Sequence, residues 1–282
     1  MKLTDKIHLL RLDFEIALSP DKKLARFVNS IIIFGDKIIL VDTGVKGSEE
    51  KLFTYIEQNG RNVSEIDTVI LSHSHPDHIG AASKIKELTN CKVLAHEGEA
   101  DWIENIDTQN RERPVPGFYS LVDHSIKIDG KLENGQVLKA AEDVTLQIIH
   151  APGHSKGSLN ILFKEDKILF TADSIPLKND IPNYDNYQDL MTTLDAIKGN
   201  IQYTTLLTSW TPPLTCRTEI DNIFSEGEEY MLKIDGAVKE SYIGNETEPL
   251  SFCKKAISNL GLPPFLAMPI VDRAFRSHKN KT

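Results

Sequence analysis

The chain reads as a mixed α/β fold built from two related β-α halves, and three observations predict it. An apolar strand, a His- and Asp-rich loop and a helix follow one another without a break from Thr68 to Leu88. The run NSIIIFGDKIILVDTG at Asn29 to Gly44 is echoed by GSLNILFKEDKILFTADS at Gly157 to Ser174, each a hairpin that ends in an aspartate, Asp42 and Asp173. Strand-like and helix-like stretches alternate over 282 residues, enough chain to bury a real core without disulfide or metal staples. A pseudo-twofold pair of sheets would carry both hairpin ends, and so both aspartates, to one shared edge. The functional site is therefore expected between the halves.

In order along the chain, Ile7 to Ile16, Val28 to Phe34 and Lys37 to Val41 read as strands, the last two joined by a turn at Gly35 and Asp36. Ser48 is the expected N-cap of a helix through Leu52, Tyr55 and Ile56 to Gly60, and Thr68 to Leu71 is a buried strand. Ile79, Ala82, Ile85 and Leu88 recur at three-residue spacing, one face of a helix. Cys91 to Ala95 is a further strand. The stretch from Glu97 to Val122 loses periodicity and carries Pro114, Pro116 and Gly117, so it reads as loop or short helices and as a candidate lid. Strands return at Val144 to Ile149, Ser158 to Phe163 and Lys167 to Thr171. A helix over Gln188 to Ile197 leads into a strand at Tyr203 to Thr208, and the chain from about 215 is mostly helical, with a break at Pro263 and Pro264.

Bulk properties narrow the partners. Acidic residues outnumber basic ones 41 to 32, a net charge of −9, so the summed field repels polyanions and disfavours a nucleic-acid role. Cys91, Cys216 and Cys253 are isolated and odd in number, which suits a reducing compartment. With neither a signal-peptide core nor a membrane-length apolar run, a cytoplasmic protein with no membrane association is expected. Oligomeric state is not readable from the chain.

The chemistry lies in His73, His75, Asp77 and His78. Four polar groups within six positions, between an apolar strand and a helix, cannot be buried without partners, and a cation is the economical one. His73 and His75 share a face in extended backbone. Pro76 suits a first helical turn, on which Asp77 and His78 diverge by about 100°, a spacing that fits two metals better than one. Imidazole and carboxylate without a nearby thiolate suit Zn(II), Fe(II) or Mn(II). A lone histidine is usually a surface or hydrogen-bonded one; the full run in a strand-to-helix context is not.

These motifs, VDTG ending at Gly44, SHSHPDHIG at Ser72 to Gly80, APGHSKGS at Ala151 to Ser158 and TADS at Thr171 to Ser174, resemble the metallo-β-lactamase fold superfamily in order and over nearly the whole chain. The resemblance implies a four-layer αβ/βα sandwich of the metallo-β-lactamase type, with residues 1–282 as a single domain that ends in the helical portion. It implies that His154 joins His73 and His75 around one metal, that Asp173 bridges two, that Asp77 and His78 hold the second, and that Asp42 braces the ligand loop. It also implies a metal-dependent hydrolase that uses a metal-bound hydroxide, with zinc as one or two ions and iron or manganese as alternatives, on a small-molecule ester, thioester, lactone or similar bond; Asp77 would orient that nucleophile or take its proton.

The sequence departs from the family where a last histidine ligand is usual: the stretch reads Thr208, Ser209, Trp210, Thr211, Pro212, and an indole N–H cannot ligate a cation. The second metal thereby loses a ligand: it binds weakly with extra water, a serine or another residue takes the place, or the enzyme works with one metal. Trp210 and Tyr187 are the expected substrate-facing aromatics. His8, His96, His124, His150 and His278 fall in no matching motif. Two alternatives stand beside the hydrolase. One is a mononuclear iron persulfide dioxygenase using His73, His154 and Asp173, disfavoured because no Gly-Arg-x-Asp follows Asp173; the other is a non-catalytic metal-binding member of the fold.

Overall fold

The computed structural model describes residues 1–19, 22–241 and 250–279. Its eleven strands form two sheets. The first has the order β1 (Ile7–Ser19), β2 (Lys22–Phe34), β3 (Ile38–Val41), β4 (Ile66–Ile70), β5 (Lys92–His96) and β6 (Gly130–Leu132). In the second, β11 (Thr205–Leu207) lies beside β10 (Ile168–Phe170), β9 (Leu159–Phe163), β8 (Val144–His150) and β7 (Val137–Ala141).

Alternation along the strands shows why both sheets are covered on both faces. On β10, Ile168 and Phe170 join the core between the sheets while Leu169 points the other way. On β3, Leu40 and Val41 likewise belong to different cores. Period-two side chains that are apolar on both faces need helices outside each sheet. Outside the first sheet these are α1 (Glu49–Gln58), α2 (Pro76–Ile79), α3 (Ala82–Thr89) and the short α4 (Ala100–Ile103), α5 (Ile106–Glu112) and α6 (Phe118–Leu121). Outside the second, α7 (Tyr187–Asn200) and α8 (Arg217–Ser241) pack Leu194, Ile197, Ile220 and Phe224 on Leu169 and Leu206. The helices α9 (Ser251–Leu260) and α10 (Pro269–Arg276) share a further core with α8. The expected four layers and the helical C-terminal portion are thus present. Among the described residues no helix is long and apolar enough to cross a membrane.

The differences from expectation have local causes. The first two strands are thirteen residues each, because alternation continues past Ile16 and the two pair as one long antiparallel arm. Strands β6 and β7 escaped the sequence reading; β6 is three residues long, and β7 exposes half of its edge residue Val137. The helix expected from Ile79 to Leu88 is two helices that meet at Gly80, where an added Cβ would stand 2.2 Å from the Leu121 carbonyl oxygen, and Leu88 lies exposed. Ser48 caps α1 by position but makes no side-chain cap bond. The stretch from Glu97 to Val122 is short helices packed on the first sheet, a buttress with Ile103, Ile106 and Phe118 in the core rather than a lid.

The internal repeat holds at the level of topology. Each hairpin, β2–β3 and β9–β10, is followed by a parallel neighbour, β4 and β11. Counted from Ile38 and Ile168, which open β3 and β10, Asp42 corresponds to Ala172, and both adopt positive φ, 60° and 45°. The two aspartates are therefore offset by one position. That offset turns Asp42 inward beneath the site and leaves Asp173 facing it.

Candidate metal centre

Strand β4 ends at Ile70, and the extended residues after it deliver His73 and His75 before Pro76 opens α2 at its first helical position. The second half contributes His154 from the turn between β8 and β9, and Asp173 from just beyond β10. Gly153 makes that turn possible: its φ is +126°, and a Cβ there would stand 2.3 Å from the Leu190 backbone of α7.

The structure brings the expected side chains into two sets. His73, His75, His154 and Asp173 each offer an atom within 4.8 Å of the others, and Asp77, His78 and Asp173 do the same. His75 Nδ1 lies 2.8 Å from His154 Nε2, which is 3.3 Å from Asp173 Oδ2. His78 Nε2 lies 3.3 Å from Asp173 Oδ1 and 3.8 Å from Asp77 Oδ2. Asp77 and His78 thus converge on one set with Asp173 despite the 100° between them around the helix axis.

Beneath the cluster, Asp42 is fully buried and saturated. It accepts the Ser72 N–H and hydroxyl, both at 2.7 Å, and faces His78 Nδ1 at 2.8 Å, which turns His78 Nε2 toward Asp173. Ser72 Oγ is also 2.9 Å from His73 Nδ1, so His73 presents Nε2.

Charge follows from this packing. Burial, with the neighbouring His78 charge, holds His73 well below the ordinary histidine range; burial and Arg113 do the same to His75. Burial pushes His154 down to about 4. For His78 burial works the same way, but Asp173, Asp42 and Asp77 outweigh it and raise the imidazole well above its usual value. Burial opposes ionisation of Asp173, yet His78 and His154 prevail and lower it. Asp77 is raised, chiefly by burial, although its carboxylate remains partly open to the cavity.

The donor set fits a divalent cation. His73 Nε2, His78 Nε2 and Asp173 Oδ1 are buried with no hydrogen-bond partner, a cost of about 1–3 kcal/mol each when nothing else satisfies them. Imidazole and carboxylate are also the ligand types that borderline cations take.

Sequence reasoning missed the groups that tie the two ligand loops together. Glu99 is buried and accepts four hydrogen bonds: from the Ser74 N–H (2.9 Å) and hydroxyl on one loop, and from the Ser155 hydroxyl (2.7 Å) and Gly157 N–H on the other. Gln109 Nε2 donates to the Ser74 carbonyl at 2.6 Å. Both come from the stretch without periodicity, where no local pattern distinguishes a buried acid from a surface one.

Above the cluster opens a cavity of about 150 Å³, room for a small molecule rather than a single water. Its wall is largely apolar and draws on the β1–β2 arm (Phe14, Leu24), on the chain after β10 (Ile175, Leu177) and on α8 (Met231, Ile234). Trp210 lines it as expected, edge-on to His78 at 6.5 Å with the Arg26 guanidinium 4.8 Å from its ring. Asn29 fixes that turn by donating to the Thr208 and Thr211 carbonyls at 2.9 and 2.8 Å. Tyr187 is corrected: it stacks on His278 at 4.0 Å within the helical core, and Tyr184, three residues earlier, lines the cavity instead. His96 and His150 stack on each other at 4.2 Å, outside both donor sets.

Comparison with known proteins agrees with this architecture. The family model for the metallo-beta-lactamase superfamily matches residues 24–212. The probable metallo-hydrolase MJ0888 of Methanocaldococcus jannaschii is 31% identical over 150 residues, 52% of this chain and 66% of its own length. The hydroxyacylglutathione hydrolase GloC of Haemophilus influenzae is 25% identical over 196 residues, 63% of this chain and 87% of its own. The metallo-beta-lactamase family protein TTHA1429 from Thermus thermophilus superposes with a TM-score of 0.72 over 97% of this chain and 93% of its own, at 16% identity.

Proposed function

Because the chain belongs to the metallo-β-lactamase superfamily, we propose that it is a metal-dependent hydrolase of small-molecule esters, thioesters, lactones or similar bonds. The observation that carries this reading is the pair of donor sets sharing Asp173 at the base of a largely apolar cavity. On this reading His73, His75 and His154 hold one cation with Asp173, and Asp173 is shared with a second held by Asp77 and His78. Zinc is the proposed metal, as one or two ions; iron or manganese suits the same donors. The second set has three protein donors against four in the first, so its ion is the weaker one.

A bound divalent cation lowers the pKa of water to about 7 and polarises a carbonyl oxygen. The chain's own residues supply the rest. Asp77 orients the attacking water and accepts its proton on its carboxylate. Trp210 and the apolar wall keep bulk water from the reacting bond and hold a small organic substrate. A hydroxyacylglutathione hydrolase among the relatives supports a hydrolytic role on a small molecule.

The test is elemental analysis of protein purified without added metal, followed by turnover of aryl ester, acyl thioester and lactone substrates before and after chelation. Turnover is expected to vanish with the metal and return with stoichiometric zinc. Turnover that persists in metal-stripped protein sinks the proposal, and oxygen consumption with a persulfide by iron-loaded protein would replace it with the oxygenase alternative.

A further inference from the structure

One guanidinium lines the cavity without an ion pair among the described residues. Arg113 follows α5 as its C-cap, is 2% exposed and lines the cavity. Among the described residues its side chain hydrogen-bonds to the Asn183 amide oxygen and forms no ion pair. Asp185, Asp77 and Glu99 act on it through space without touching it: Asp185 is engaged by Arg273 Nε at 2.9 Å, Glu99 by the Ser74 and Ser155 loops, and Asp77 belongs to the second donor set. The other cavity arginine differs. Arg26 holds both oxygens of Asp180, at 3.0 and 2.8 Å, and its charge is spent there.

A buried guanidinium with no carboxylate in contact is costly, and an anionic ligand that reached it would offset that cost. Burial lowers the Arg113 pKa to about 10, so the group stays charged at neutral pH. The planar guanidinium fork matches a carboxylate through paired N–H donors. One positive charge with no ion pair of its own, within largely apolar walls, fits a monoanion better than a phosphate dianion. The net charge of −9 does not prevent this, because surface charges beyond about 10 Å are screened while Arg113 acts at contact inside the cavity.

We infer that the substrate carries a carboxylate remote from the reacting bond, and that Arg113 binds it while the reacting carbonyl lies over Asp77 and Asp173. This rests on the hydrolase reading for its reacting end alone; recognition of the carboxylate is a separate property of the cavity. Arg113 is then a specificity residue, and Asn183 positions it by taking one of its N–H groups.

Matched probes test the inference: mono-(4-nitrophenyl) succinate and 4-nitrophenyl butyrate with zinc-loaded wild type, Arg113→Gln and Arg113→Lys. The wild type is expected to favour the anionic ester by about 10- to 100-fold in kcat/KM. Arg113→Gln is expected to collapse the ratio toward one, and Arg113→Lys to recover part of it. Thermal melts of all three proteins report folding, and a purely structural Arg113 would shift the melts without moving the ratio. A wild type without the preference, or a ratio that survives in Arg113→Gln, overturns the inference. A second arm needs no turnover: titration of the cavity tryptophan's fluorescence with hexanoate and with hexanol. If no ester is hydrolysed yet hexanoate binds the wild type at least 10-fold better than it binds Arg113→Gln, the hydrolase reading fails and carboxylate recognition stands. Equal hexanoate binding by both proteins, as a cation in the cluster would give, overturns it.

Discussion

The donor cluster and the cavity above it share residues but are built in opposite ways. The cluster stands on strand ends and rigid turns, and its groups are pinned from beneath: Asp42 is saturated by Ser72 and His78, and Glu99 ties the Ser74 and Ser155 loops together. The cavity wall is assembled from a protruding β arm, short helices and α8, elements that meet only through packing. Chemistry placed on a scaffold and selectivity placed on additions can change independently, which is how one fold serves many substrates.

Asp173→Ala removes the one side chain common to both donor sets, and it has the largest expected effect: kcat/KM down by about 10³-fold or more, with metal content lost in elemental analysis. A variant with full metal and turnover would break the distinction between cluster and wall at its root.

The metal-free protein should show how tightly the cluster is wedged into its buried state. His154 binds its proton near pH 4 in the fold against 6.5 for the free side chain. The unfolded chain therefore takes up more protons between these values, and stability falls as pH drops through the window, by about 3 kcal/mol from this residue alone. His78 is shifted upward, so its contribution is complete below pH 6.5 and is lost as pH rises through its elevated value. Thermal melts of chelated protein are expected to peak near pH 6.5 and decline on both sides. A flat acid limb would mean that the histidines titrate as free ones.

Glu99→Gln keeps the shape of the tie between the ligand loops but replaces one acceptor oxygen with an NH2 donor, which cannot accept the two hydrogen bonds that reach it. A loss of about 2 kcal/mol in denaturant unfolding is expected, together with weaker metal retention. Unchanged metal affinity would assign Glu99 to stability alone.

The smallest change sharpens the comparison from the wall side. Trp210→His places an imidazole where the indole now stands edge-on to His78. The second cation is expected to bind about 10-fold more tightly, read from metal stoichiometry under dialysis, at the cost of some apolar wall.

Much of the cluster was legible in the chain because its parts are local. His73, His75, Asp77 and His78 sit in one strand-to-helix passage, and the repeated hairpins announce Asp42 and Asp173 by position. The legibility ended where a side chain's meaning depends on what packs over it. The hairpin repeat alone makes the two aspartates equivalent; the family resemblance gave them different roles, and the one-residue offset after β3 and β10 supplies the physical reason. Tyr187 and Tyr184 are both tyrosines near one helix start, and only packing sends the first onto His278 and the second into the cavity.

By itself, then, the sequence determined the order of strands and turns and the residue types able to hold a cation, since backbone geometry and side-chain spacing act over a few residues. The tertiary structure alone decided that Glu99 joins two distant loops, that Arg113 is buried with no ion pair among the described residues, and which apolar groups face the reacting end. Those properties arise from segments up to a hundred residues or more apart, whose contacts leave no periodic trace in the chain.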